Sequence, residues 1–244
     1  MNRILTLFLV NFFNFYISLM IQIIKTEDGS HTVHSDKFDA TYHSSHGSIQ
    51  ETQTVFINAG FKYICNQGFS QISILEIGFG TGLNALMTWL EAKKQPLSVL
   101  YHSLELYPIG IETARKLNYP ELLKAPESEE IFMKMHAAEN LTVSIPISNV
   151  NSLDFQLKIK NFELENFDPI YHLVYFDAFA PNVQPQLWQE AFLQKMYDSL
   201  IPGGVLVTYC AQGAFKRALK AVGFRLDPLP GPIGKREMTR AIKL

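Results

Sequence analysis

Cysteine is scarce in this 244-residue chain: Cys65 and Cys210 are all there is. They lie far apart and match no metal or redox spacing, so both read as free thiols of a reducing compartment, with the cytosol as the default location. An excess of charge of either sign is also missing. The 21 Lys and Arg against 23 Asp and Glu leave a net −2, a balance that fits small substrates and excludes a chain that is basic throughout. Uninterrupted apolar runs are absent as well. The opening MNRILTLFLVNFFNFYISLM is broken by Asn11 and Asn14 and is followed by no small-residue cleavage site, so it reads neither as a signal peptide nor as a membrane span. Residues 1–20 are taken as an apolar extension, an upstream start assigned in error, with a transient anchor as the alternative. Residues 21–244, in a chain that is 47% hydrophobic, suffice for one α/β domain that needs no staples.

Two further absences define the central motif, Ile72 to Leu86, ISILEIGFGTGLNAL. A short apolar run ends in glycines at alternate positions, and LNALMTWLEAKK follows with helical spacing, so strand, turn and helix make a pocket with helix amides facing a ligand. Leu83 stands where a dinucleotide fingerprint needs its third glycine, which weakens a nicotinamide reading. No Gly-Lys-Ser/Thr follows, which excludes a P-loop. What remains, E-x-G-x-G-x-G, resembles motif I of class I S-adenosylmethionine methyltransferases, in which the turn passes under the amino-acid part of the cofactor. The competing reading is that the glycines only allow tight strand-to-helix packing. The fold class expected is α/β: a Rossmann-like, mostly parallel sheet with an antiparallel C-terminal edge.

The remaining elements follow in order. IQIIKTEDGSHTVHS reads as a hairpin around Asp28-Gly29. His31, His34, His43 and His46 lack acidic or cysteine partners at ligand spacing, so no metal site is assigned. Ser48 with Glu51 reads as a capping box ahead of a helix through Phe61. SVLYHSLELYP is a strand ending at Glu105, placed to accept hydrogen bonds from ribose hydroxyls, the alternative being an exposed strand-end acid. Residues 117–150 read as helix and loop, then a short strand, LTVSI. Asp154 is a weaker candidate for the adenine amino group, equally readable as a turn cap. YHLVYF is a strand ending at Asp177, and a carboxylate at that end of a parallel strand faces the ligand crevice. Pro185 opens a helix with Leu187, Phe192 and Met196 inward. Ile201-Pro-Gly-Gly reads as a turn into a strand, and PLPGPIGKREMTRAIKL as proline and glycine turns before a last strand.

EIGFGTGLNAL, VYFDAFAPNVQPQLW and PGPIGKREMTRA together resemble the methyltransferase domain of the MnmC-type tRNA 5-methylaminomethyl-2-thiouridine biosynthesis proteins, and FDATYHSSHGSIQET with VFINAGF resembles that family's N-terminal segment. The resemblance implies S-adenosyl-L-methionine as cofactor and methyl transfer to the primary amine of 5-aminomethyluridine at the tRNA wobble position. It implies cofactor contacts at Glu76, Gly78, Gly80, Gly82 and Glu105, with Phe79 and Thr81 in the same turn, and an active-site acid at Asp177. The FAD-dependent oxidase domain of the bifunctional members has no counterpart in these 244 residues. A primary alkylamine is mostly protonated at neutral pH, so an acid such as Asp177 is needed to take its proton and orient its lone pair. Phe79, Tyr175 and Phe179 are candidates for contacts to the base or the sulfonium, or for packing. From Ile201 onward eight bases face two acids, so Lys235 and Arg236, with Lys216, Arg217 and Lys220, become candidates for phosphate contacts. Two other readings stay open: methyl or aminopropyl transfer to a small-molecule amine, and a non-catalytic cofactor- or RNA-binding module.

Overall fold

In a computed structural model, which describes residues 21–244, the apolar run at the motif becomes the middle of the sheet. The apolar extension of residues 1–20 lies outside the described residues. Strand β4 (Gln71–Ile77) is buried from Ile72 on, and alternate side chains go to opposite faces. Ile72 and Ile74 join one core, with Val55, Phe56 and Trp89. Leu75 and Ile77 join the other, with Phe192, Leu193 and Phe215. Each such aliphatic side chain, fully buried, contributes about 1.5–3 kcal/mol.

Three short strands, β1 (Ile21–Lys25), β2 (His31–Ser35) and β3 (Ala40–Thr41), form a separate antiparallel sheet from the expected hairpin. Helix α1 covers 48–65: an α-helical start, Ser48–Thr52, a π-helical stretch, Gln53–Phe61, and an α-helical end, Lys62–Cys65. After β4 come α2 (Leu83–Ala92), β5 (Ser98–Glu105), short helical turns, α3 (Glu129–Ala137), β6 (Thr142–Pro146), β7 (Ser152–Ile159) and β8 (Tyr171–Phe176). The chain closes with α4 (Glu190–Ser199), β9 (Leu200–Thr208), α5 (Gly213–Ala221), β10 (Arg225–Pro230) and β11 (Glu237–Ile242). The main sheet has the order β10-β11-β9-β8-β4-β5-β7-β6. Strands β9, β8, β4, β5 and β7 run parallel, while β11 runs antiparallel to β9 and β6 antiparallel to β7. This is the expected α/β class.

Several local expectations give way. Helix α1 has Gly47, not Ser48, at its N-cap; Ser48 Oγ donates to the His31 carbonyl (2.9 Å), and Glu51 accepts from Ser44 N–H (2.9 Å), so there is no capping box. Tertiary partners outbid the local one. Ile201-Pro-Gly-Gly is part of β9 rather than a turn. Strand β10, read as proline turns, tolerates Pro228 and Pro230 because it lies at the edge of the sheet. Strand β7 has no counterpart among the elements expected from the sequence.

Candidate active site

Strand β4 has β5 on one side and β8 on the other, and its own helix α2 crosses one face while the helix after β8, α4, crosses the opposite face. A crevice therefore opens above the C-terminal ends of these strands, where α/β sheets take their ligands. It contains a cavity of about 460 Å³.

The glycine turn forms one wall. Gly78, Gly80 and Gly82 have φ of 93°, 53° and 77°. A Cβ on Gly78 would lie 2.6 Å from the Asp177 carbonyl oxygen, and one on Gly80 would lie 2.8 Å from the Tyr42 ring. Only glycine combines these angles with this closeness. The amides of Gly78 and Phe79 both donate to the Leu104 carbonyl (3.0 and 3.2 Å), which ties the turn to β5.

At the end of β5, Glu105 is buried yet borders the cavity. Its carboxylate accepts from three backbone amides: Gly80 (2.9 Å), Leu106 (2.8 Å) and Tyr107 (2.7 Å). Burial pushes its carboxyl above the usual range, against the pull of these donors. At the end of β8, Asp177 Oδ2 accepts from Asn84 Nδ2 (2.8 Å), and Asn84 Oδ1 in turn accepts from Thr52 Oγ1 (3.0 Å). No donor among the described residues takes Asp177 Oδ1. Burial, with Glu51 nearby, pushes the Asp177 carboxyl up to about 7, against the Asn84 hydrogen bond and the Lys235 charge.

Two buried histidines line or support the turn. His43 Nε2 lies 2.8 Å from Thr81 Oγ1, and His136 Nε2 lies 3.2 Å from the Thr81 carbonyl. Burial pulls both down to about 4, so at neutral pH neither adds a positive charge. The arrangement is an anionic, glycine-walled cleft with one partly free carboxylate, suited to a cationic ligand without phosphates.

Comparison with known proteins agrees with that chemistry. Residues 122–244 match the family described as S-adenosyl-L-methionine-dependent methyltransferase. The chain belongs to this family. It is therefore an enzyme that uses S-adenosyl-L-methionine. It is 30% identical over 224 residues to the tRNA 5-methylaminomethyl-2-thiouridine biosynthesis bifunctional protein MnmC of Aromatoleum aromaticum, covering 88% of this chain and 34% of that protein. The MnmC of Cupriavidus metallidurans is 28% identical over 239 residues, 89% of this chain and 33% of that protein. The chain thus spans about one third of the length of the curated relatives it matches. The crystal structure of MnmC2 from Aquifex aeolicus superposes with a TM-score of 0.69 at 25% identity, covering 91% of this chain and 69% of that one.

For a methyltransferase of this family the structure gathers most of the anticipated residues and displaces others. Gly78, Gly80, Thr81, Glu105, Asp177, Phe179 and Lys235 all border the cavity. Glu76 does not. It is fully buried on β4, its Oε2 accepting from Ser103 Oγ (2.6 Å) and its Oε1 without a partner among the described residues, and burial pushes its carboxyl up to about 8. Phe79 touches the cavity, but its ring turns into the core against His136 and Phe155. Tyr175 is a core residue too, with its hydroxyl on Thr88 (3.1 Å). Gly82 caps α2, its α-carbon facing Phe79 and His136. Asp154 is excluded from the cleft: it sits near the start of β7, at the opposite end of the sheet, accepting from Ser144 and Ser152.

The C-terminal bases also part company. Lys235 turns inward to Glu51 (2.5 Å), and Lys216 pairs with Glu237 (2.6 Å), so neither is free for phosphate. Arg217, Lys220 and Arg236 stay exposed, with no ion pair among the described residues. Asn84 and Glu51 went unrecognised as site residues. Asn84 carried a signal: it is the polar residue on the otherwise apolar opening turn of a helix that leaves the glycine motif. Among the described residues no group of acids, histidines and cysteines is placed to hold a metal, and no helix is long and apolar enough to cross a membrane.

Proposed function

We propose that this enzyme methylates the primary amine of 5-aminomethyl-(2-thio)uridine at the wobble position of tRNA, giving 5-methylaminomethyl-(2-thio)uridine. The observation that carries the reading is the free oxygen of Asp177 at the end of β8, facing the cavity while Asn84 holds its other oxygen. The names of the curated relatives supply the substrate. The residues fit the cofactor: Gly78 and Gly80 line the cavity with bare backbone where its amino-acid part would lie, and Glu105, with about one lone-pair direction left, can accept from a ribose hydroxyl. When bound, S-adenosyl-L-methionine supplies an electrophilic methyl group on a cationic sulfur.

The protein's own task is the amine. An alkylammonium with a pKa near 10 must lose a proton before its nitrogen can attack. Asp177, with a proton affinity raised toward neutrality, is matched to accept that proton, whereas an ordinary carboxylate would hold it poorly. Asn84 fixes the plane of the carboxylate, and Thr52 fixes Asn84, so the accepting lone pair has one direction. Phe179, packed against Phe38 and Tyr42 at ring distances of 4.7 and 4.9 Å, provides an apolar rim against which an extruded base can stack. Exposed Arg236, beside the inward-turned Lys235, is the candidate for phosphate contact. A tRNA substrate places the work in the cytoplasm, in keeping with two free thiols.

The test is transfer of radiolabelled methyl from S-adenosyl-L-methionine to tRNA from cells lacking this gene, followed by nucleoside analysis. Label in 5-methylaminomethyl-(2-thio)uridine is expected. Label confined to another nucleoside, or to small amines only, would overturn the assignment.

A further inference from the structure

Helix α1 and the C-terminal loop bring a second acid and a base to the wall of the same cavity. Glu51 is 4% exposed, and its Oε1 lies 2.5 Å from Lys235 Nζ. Lys235 Nζ also sits 4.0 Å from the centre of the Tyr209 ring, and Tyr209 donates its hydroxyl to the Ala178 carbonyl (2.8 Å), next to Asp177. Dehydrating the Glu51 carboxylate costs free energy that its attraction to Lys235, itself 33% exposed, barely returns, so a buried acid paired at a reactive cavity calls for a role other than stability.

Its surroundings point to that role. Glu76 and Tyr101 are buried in the core within range of the Asp177 charge, and His43 and Tyr209 line the same cavity as Asp177. Burial keeps all four uncharged at neutral pH, raising the acid and the phenols and lowering the histidine. Glu105 stands at the end of β5, with β4 between it and β8, and is committed to its three amides. Glu51 and Lys235 are left as the formal charges that act on Asp177, with opposite signs.

We infer that the Glu51–Lys235 pair is a charge-setting device for Asp177: intact, it presents that acid with a compensated wall, and broken, with a single uncompensated charge. This rests on the reading of Asp177 as the acceptor of the substrate proton. Both members are positioning residues, acting through Asp177.

The pair makes a signed forecast. Lys235→Met leaves Glu51 as a bare anion, which raises the proton affinity of Asp177 and moves the acidic limb of the methylation rate to higher pH. Glu51→Gln leaves a bare cation and moves the limb to lower pH. Each shift should be roughly one pH unit, and the double variant should return close to the wild-type limb. Single-turnover methylation of the hypomodified tRNA at saturating substrate, from about pH 5 to 9, reads the limb, with S-adenosyl-L-methionine binding as the check on folding. Lys235→Arg, which keeps the charge, should keep the limb, so Lys235→Met against Lys235→Arg carries the test alone should Glu51→Gln lower the folded yield. Shifts of the same sign in both single variants, or an unmoved limb in variants that bind cofactor, overturn the inference. A wild-type enzyme that leaves the amine unmethylated instead sinks the substrate reading on which it rests.

Discussion

At the end of β5, Glu105 spends three of about four lone-pair directions on backbone amides, whereas at the end of β8 Asp177 spends one on a side-chain amide and leaves an oxygen open. Both are carboxylates at the mouth of one crevice, and burial raises both. The difference lies in what holds them. Amides of the chain fix Glu105 as tightly as the loops they belong to, which suits an acceptor that must only be in place. Asp177 is held by a side chain that is itself held by another, which suits the proton-accepting role proposed for it.

The sharpest way to break this contrast is Asp177→Asn. Methylation in a single turnover should fall by roughly 10² to 10⁴ while cofactor affinity stays within a few fold, because the shape survives and the proton acceptor does not. The same variant has a thermal signature. A carboxyl raised from 3.8 to about 7 in the folded state stabilises the fold below pH 4 and loses that contribution as pH climbs through 7. Asp177→Asn should therefore gain on the wild type in melting temperature between pH 4 and 8, with each kcal/mol worth about 2–4 °C. A variant that melts lower than wild type at pH 8 would show that the charged acid is not a burden to the fold.

Glu105→Ala should behave in the opposite way. Loss of charge-assisted hydrogen bonds worth about 1.5–3 kcal/mol should weaken cofactor binding by calorimetry roughly 10- to 150-fold, with a lesser effect on the rate at saturating cofactor. Asn84→Leu sharpens the comparison from the side of the support. Without its donor, Asp177 gains proton affinity, so the rate at neutral pH should drop about tenfold and the acidic limb should move upward. An unmoved limb would remove Asn84 from the site. The smallest effect belongs to the periphery: Arg236→Ala should make the log-log salt dependence of tRNA binding shallower by roughly one unit with cofactor affinity unchanged.

How much of this was legible in the chain depended on whether the cause was local. Strands β4, β5 and β8, the glycine turn and the acids that end β5 and β8 were readable, because apolar runs, positive-φ glycines and strand-end acids act within a few residues. Asp154 was misplaced because β7 was not seen as a strand, and a residue's end of the sheet follows from strand direction, not from its neighbours in sequence. Glu76 was read from its motif, but a two-residue period decides which side of β4 it enters, and it enters the core beside Ser103. Glu51 was read as a cap partner of Ser48; its true partner, Lys235, lies 184 residues away in sequence and could not compete in any local argument. Asn84 shows the reverse case, a clue present locally and passed over.

The π-helical stretch Gln53–Phe61 works as a phase adjuster between two constraints on one helix. On its far side Gly60 lies against Tyr175 and Val207 so closely that a Cβ would come within 3.1 and 3.0 Å, which locks that end to the sheet. On its near side Thr52 must meet Asn84 and Glu51 must meet Lys235. An α-turn takes 3.6 residues and the wider π-turn absorbs an extra residue, so rewinding this stretch as a regular α-helix with every residue kept would swing Thr52 and Glu51 around the axis relative to Gly60. The helix would gain ordinary hydrogen bonds and the cavity would lose both its second acid and the last support of Asp177. Regularity and chemistry are thus exclusive in this helix, and the extra residue is the form in which the exclusion is written into the sequence.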